Sequence, residues 1–274
     1  MQQYLSLVEE VLKNGVEKRD RTGVGTISIF GAQRKYDLRE GFPVVTTKKV
    51  RYDGVLRELL WFLRGSTNIN DELKEYTPIW NAWADHEGEL GPIYGYQWRK
   101  WEKFEADRTH AGLYKKTHVD QIQQAIDMIK QNPDSRRIIV SAWNVADLDK
   151  ISVAPPFCHT FFQMYVLNGR LDMHLYQRSA DLALGVPFNI ASYATLLTMF
   201  ALECGLIPGI LTHSFGDAHI YLNHIEGLKL ELTRSPLALP TLQIARKPFW
   251  DLKYEDFKLQ NYQHHEFIKF AVAV

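Results

Sequence analysis

Along the chain, stretches with apolar residues every three or four positions alternate with stretches that favour every second position. Tyr4, Leu5, Val8, Val11 and Leu12 follow helical spacing, with Gly15 where a C-terminal cap would stand. Val55, Leu56, Leu59, Leu60 and Leu63 predict a second helix stopping at Gly65, and residues 120–131 a third, closed by Asn132-Pro133. Residues 190–204 are apolar all round, which predicts a buried helix with Gly205 after it. Residues 219–232 offer a further helix. Residues 26–30 are β-prone, 138–143 read as a buried strand and 239–245 as another. The strongest local signal is Asn168-Gly169 between the β-prone runs 160–166 and 170–176, which predicts a hairpin. The polar, aperiodic segment 103–117 predicts a surface loop. Helices and strands alternate irregularly with at least one antiparallel pair, so the expected class is α+β.

Composition narrows this further. The 274 residues contain no internal repeat, low-complexity tract or linker, so a single domain over 1–274 is expected. With 46% hydrophobic and 23% charged residues, the chain suits a globular enzyme with a large core. Lys+Arg and Asp+Glu are both 32, which removes bulk attraction to nucleic acid or membranes and leaves basic residues to act locally. No apolar run approaches the roughly 20 residues that span a bilayer. Met1-Gln2-Gln3-Tyr4 lacks the form of a signal peptide, and two cysteines cannot build a disulfide scaffold, so a cytoplasmic location is expected.

Candidate chemistry concentrates between Cys158 and Tyr193. Cys204 lies in the apolar helix, where a buried thiol keeps a high pKa, whereas Cys158 opens a strand at an edge that can face a cleft. Taken alone, such a cysteine is more often a small core hydrophobe. Arg178 shifts that balance: it sits near the far end of the paired strand, from which a guanidinium can reach the thiol and favour the thiolate. His159 points to the other face of a strand, so it suits indirect support of substrate or water better than proton exchange with Cys158. Arg21, Arg136, Arg137 and Arg178 each lie in a turn or at a strand end. Singly each reads as a solvated surface residue; together they suit a phosphate clamp, because guanidinium meets phosphate in bidentate fashion.

Glu58, within Arg57-Glu58-Leu59-Leu60-Trp61-Phe62, is either a surface carboxylate paired with a cation or an acid/base whose pKa burial raises. The sequence favours neither. Ile79, Trp80 and Trp83 are core or a stacking wall for a flat cofactor, with core the default. Asp217, His219 and Tyr221 alternate, so one strand face would carry all three. The His and Cys spacing matches no common zinc pattern, and no metal is implied.

Taken in order, Asp20-Arg21-Thr22-Gly23, Glu58-Leu59-Leu60-Trp61-Phe62-Leu63, Gly91-Pro92-Ile93-Tyr94-Gly95 and Asp134-Ser135-Arg136-Arg137 form one half of a pattern. Cys158-His159, Gln177-Arg178-Ser179, Pro187-Phe188-Asn189-Ile190-Ala191-Ser192-Tyr193 and Gly216-Asp217-Ala218-His219-Ile220-Tyr221 complete it. The chain resembles thymidylate synthase over essentially its whole length. That resemblance implies a mixed sheet packed back-to-back in a homodimer, and reductive methylation of dUMP to dTMP. The donor of carbon and hydride would be 5,10-methylenetetrahydrofolate, leaving dihydrofolate.

By the same resemblance Cys158 attacks carbon 6 of the uracil with Arg178 beside it, Glu58 organises proton transfers through water, and Tyr94 lies near the departing proton. Arg21, Arg178 and Ser179 match phosphate ligands, and Arg136 and Arg137 match arginines that reach into the neighbouring subunit's site. Asn189 matches the reader of the pyrimidine edge, and His219 and Tyr221 the binders of the sugar hydroxyl. Asp181 and His159 complete the dUMP set. The folate would stack near Trp80, with Ile79, Trp83, Asp181, Leu184, Gly185 and Phe188 around it, Lys48 at its glutamate tail and the terminal Val274 folding over the site. The alternative in the same superfamily is a pyrimidine hydroxymethylase, in which water replaces hydride; Asn189 argues against its cytosine-specific form. A binding protein without catalysis fits poorly with Cys158, Glu58 and Asn189 all present. The chain departs from the family pattern at Phe157, where proline is usual, and in a loop about two residues longer before Cys158. Arg51 and Asn81 stand where some relatives carry histidine and aspartate.

Overall fold

A computed structural model describes residues 1–20, 22–110, 112–150 and 157–272. Helix α1 (Gln2–Asn14) precedes strands β1 (Val16–Lys18) and β2 (Thr26–Asp37). Helices α2 (Tyr52–Leu63), α3 (Leu73–Tyr76) and α4 (Tyr94–Lys100) follow, then strands β3 (Trp101–Ala106) and β4 (Tyr114–Val119). Helix α5 (Gln121–Gln131) leads to β5 (Ile139–Ser141), β6 (His159–Leu167) and β7 (Arg170–Asp181). Helix α6 (Gly185–Glu203), β8 (Ile207–Tyr221), α7 (Ile225–Leu232), β9 (Thr241–Ile244) and β10 (Phe257–Gln260) complete the chain. The class is α+β, as the irregular alternation predicts.

One six-stranded sheet, ordered β1-β2-β8-β7-β6-β5, organises the molecule. Asn168 and Gly169 both take positive φ, 51° and 73°, so the β6–β7 connection is a two-residue turn whose twist matches the flanking strands. β7 and β8 are parallel neighbours, and α6 is the crossover between them. That helix has no polar face because it is packed on all sides: Ile190, Ala191, Tyr193, Leu196, Leu197 and Phe200 are each no more than 2% exposed. By length and composition α6 could cross a bilayer, contrary to the expectation from the sequence, yet most of it is enclosed by protein.

One face of the sheet packs on this core through Phe162, Leu175, Leu211 and Phe215. The other face is open. It carries Ile139, Phe161 and Tyr165, each at least 40% exposed, and Phe161 stacks on Tyr176 across the hairpin.

Several sequence expectations need correction. Segment 103–117 is a loop only in part: β3 and β4 on either side of it pair in register, with Lys116 on Glu102 at 2.6 Å across the strands. Most residues of both strands are exposed, so no alternating apolar signature exists to read. The strand expected over 138–143 shortens to β5, an edge strand in which only Val140 is buried. The helix expected from residue 219 begins at Ile225, because β2 and β7 hold β8 in the sheet through Tyr221 and His219 respectively. The strand begun at Thr26 continues to Asp37, and α6 starts five residues earlier than its apolar run suggests.

Candidate active site

The β6–β7 ladder pairs His159 with Gln177 and then Phe161 with Tyr176, so β6 carries one extra residue. Such a bulge breaks the facing rule of a strand and re-aims the side chains beside it. Just before the bulge, the Cys158 carbonyl accepts from Arg178 N–H at 2.7 Å, and the Cys158 N–H donates to Tyr94 Oη at 2.7 Å. Arg178 Nε donates to the Phe157 carbonyl at 2.8 Å, which leaves a terminal guanidinium nitrogen 4.0 Å from Cys158 Sγ. Trp143 lies beneath, its ring centre 5.6 Å from the guanidinium carbon. At this spacing a full cation attracts a thiolate by about 4 kcal/mol before solvation is counted, at an effective dielectric near 20. The thiol is half-buried.

Helices α2 and α4 build the second wall. Gly95 in α4 lies so close to α2 that a Cβ there would meet the Phe62 carbonyl at 2.5 Å. This close approach seats Tyr94 flat on His159, with ring centres 3.9 Å apart and planes within 12°. His159 Nδ1 is 2.7 Å from Tyr193 Oη. Burial pushes His159 down to about 3, so its imidazole is neutral at physiological pH. Burial, and secondarily the neighbouring Cys158, hold the Tyr94 phenol well above its ordinary value and keep it protonated. Glu58 is enclosed by the same helices and accepts from Trp80 Nε1 at 2.7 Å. Burial raises its carboxyl to about 7, the indole N–H opposing part of the rise. Of the two environments open for Glu58, the structure shows the buried one rather than a surface carboxylate paired with a cation.

The remaining polar groups line up at one end of the sheet. Ser179 pairs with Asp217 and Asp181 with His219 across β7 and β8, while Tyr221 pairs with Thr26 of β2. His219 Nδ1 lies 3.1 Å from Asp217 Oδ1, and this contact, with Lys18 at 2.9 Å, holds the Asp217 carboxyl below its usual range. Asp181 Oδ1 accepts from the backbone N–H of Ala183 at 2.9 Å and of Leu184 at 3.3 Å, turning the chain into α6. Gly185, Phe188 and Asn189 follow in the first turns of that helix, each half-buried. Ile79, Trp83, Leu184 and Phe188 all pack on the core yet remain partly exposed. Trp80 is buried, edge-on to Trp83 at 5.8 Å. Partly exposed apolar side chains beside a fixed indole suit a flat ring system.

Other predicted residues stand apart. Lys48 is enclosed: its ammonium is 3.0 Å from Glu231, donates to the Ala183 carbonyl at 2.7 Å, and its side chain is only 6% exposed. Burial lowers its pKa, with the Glu231 charge opposing. In this arrangement Lys48 ties the loop before α2 to α7. Arg136 and Arg137 are exposed in the turn that enters β5, on the edge of the open sheet face. Arg21, Val274 and most of the extended loop before Cys158 lie outside the described residues. Sequence reasoning missed the support given by Tyr193 to His159 and by Trp143 to Arg178; both are aromatic residues that read as core. Among the described residues no three His, Cys, Asp or Glu side chains gather as a metal site.

The structure thus holds a thiol beside a guanidinium, a buried carboxyl near neutrality and a half-buried amide in the first turns of α6. The Thymidylate synthase family model matches residues 2–274. The chain therefore belongs to the thymidylate synthase family, methyltransferases that use methylenetetrahydrofolate as cosubstrate.

Proposed function

We propose that this protein converts dUMP to dTMP by reductive methylation. The observation that carries the reading is the guanidinium nitrogen of Arg178 held 4.0 Å from Cys158 Sγ by its own bond to the Phe157 carbonyl. A thiolate so stabilised adds to carbon 6 of the uracil ring and makes carbon 5 nucleophilic. The one-carbon unit and the hydride both come from the bound methylenetetrahydrofolate. Ile79, Trp83, Leu184 and Phe188 would hold its ring system against the indole of Trp80.

Proton handling falls to Glu58, whose carboxyl near 7 is divided between its two forms at physiological pH. His159 stays neutral and positions Tyr94 by stacking. Asn189 presents an amide that can donate to one edge atom of uracil and accept from its neighbour. His219, Tyr221 and Ser179 lie at the end of the sheet where the sugar and phosphate would sit. The open sheet face with Ile139, Phe161 and Tyr165 supports a back-to-back homodimer. Strand alternation gives Arg178 the same facing as His174 and Tyr176, toward the face whose edge carries Arg136 and Arg137. In such a dimer those two arginines would complete the partner's phosphate clamp.

Product analysis with dUMP and methylenetetrahydrofolate tests the reading. Equimolar dTMP and dihydrofolate are expected. Hydroxymethyl-dUMP with tetrahydrofolate would refute the reductive step and move the chain to the hydroxymethylase branch.

A further inference from the structure

On the face of α2 that carries Arg57, Leu60 and Arg64, a cavity of about 680 Å³ opens toward α3, the end of α4 and the segment 249–255. Its volume falls within the roughly 300–1,000 Å³ of small-molecule pockets, and none of its lining residues belongs to the Cys158 site. Leu60, Leu63, Leu73 and Met199 supply apolar surface. Charge at the rim favours an anion: Arg57, Arg64, Arg99 and Lys253 face Glu72 and Glu255.

The distinctive group is Arg57. Its guanidinium is sandwiched between two rings, 3.5 Å from the centre of Tyr76 and 3.8 Å from that of Tyr254. With both faces covered, only the in-plane edge of N–H donors remains for a partner. The neighbouring arginines are engaged: Arg99 meets Asp120 at 2.8 Å and lies over Trp250, and Arg64 meets Glu72 at 3.0 Å. Among the described residues, no carboxylate or carbonyl takes a hydrogen bond or ion pair from the Arg57 guanidinium. A fork held rigid between two rings matches a carboxylate or a phosphate, two oxygens at a time.

We infer that this cavity binds a small molecule with an oxyanion head on the in-plane edge of Arg57 and an apolar body against Leu60, Leu63 and Met199. The site is distinct from the dUMP and folate surfaces and does not depend on the reaction proposed above.

Trp250 lines the cavity, and its indole N–H donates to Gln123 at 2.6 Å, so its amide-type proton signal reports on occupancy. Phenyl phosphate, phenylacetate and inorganic phosphate are titrated into the full-length chain with excess dUMP present, the Trp250 resonance being assigned through Trp250→Phe. A saturable shift with at least one aryl anion is expected in about the millimolar range appropriate to some ten heavy atoms. The tighter of the two identifies the head as phosphate or carboxylate. Inorganic phosphate is expected to bind about tenfold more weakly, lacking the apolar body. Arg57→Leu is expected to weaken the aryl anion about tenfold or more, and Arg57→Lys to fall between, keeping charge without the fork. A retained amide spectrum of the lysine variant certifies the fold. The absence of a saturable shift in the wild type, unchanged affinity in Arg57→Leu, or inorganic phosphate binding equally well would each overturn the proposal. The readout is not turnover, so failure of the proposed reaction leaves it intact.

Discussion

Replacing Glu58 by glutamine separates the stability of this protein from its activity. The carboxyl rises from its ordinary value of 4.5 to about 7 because burial excludes water from it. The folded state therefore holds that proton more tightly than the unfolded chain. The stability it contributes is fully present below the unfolded value and is lost as pH rises through the folded one. At about 1.4 kcal/mol per pKa unit, the loss between pH 4.5 and about 7 is on the order of 3 kcal/mol. Glutamine cannot ionise. Its carbonyl can still accept from Trp80, while its new amide donors cost about 1–3 kcal/mol at every pH if unpaired. The constant offset is uninformative, but the slope is diagnostic. Unfolding free energies from urea titrations followed by tryptophan fluorescence should show the variant gaining about 3 kcal/mol relative to wild type between about pH 4 and 8. Formation of dTMP should fall by about 10²-fold or more in the same variant. A difference in stability that stays flat with pH would refute the buried-carboxyl reasoning, and wild-type turnover would remove Glu58 from proton handling.

Cys158→Ser is expected to abolish turnover while dUMP binding, read by calorimetry, is largely kept; measurable wild-type turnover would exclude Cys158 as nucleophile. Asn189→Asp should shift preference from dUMP toward dCMP, as judged by competition binding, because a carboxyl changes the hydrogen-bond pattern offered to the ring. His159, held near 3 in the fold, should withdraw stability as pH falls from about 6.5 toward 3, by several kcal/mol in all. His159→Gln should flatten that acid limb of the stability profile. Glu231→Gln leaves the Lys48 ammonium buried without its carboxylate and should cost about 3–5 kcal/mol in urea unfolding, whereas Lys48→Met with Glu231→Leu should recover much of it.

Local signals carried a large part of this protein. Asn168-Gly169 determined a hairpin because few residues accept two successive positive φ angles, and that hairpin, shifted by the extra residue of β6 near His159, brings Arg178 opposite Cys158. The unbroken apolar run in α6 determined a buried helix, since no face of it could profitably meet water. Ordered motifs from Asp20 to Tyr221 determined the family. Tertiary structure decided what depends on enclosure and on distant partners. Glu58 became an acid near neutrality only when the fold buried it, against the opposing bond from Trp80, a matter of dielectric that no sequence neighbour sets. Lys48 was claimed by Glu231, far along the chain, because a buried ammonium requires a counter-charge wherever the fold supplies one. The β3–β4 hairpin stayed illegible because a ribbon wet on both faces needs no hydrophobic period, so its pairing is written in backbone hydrogen bonds and cross-strand charges.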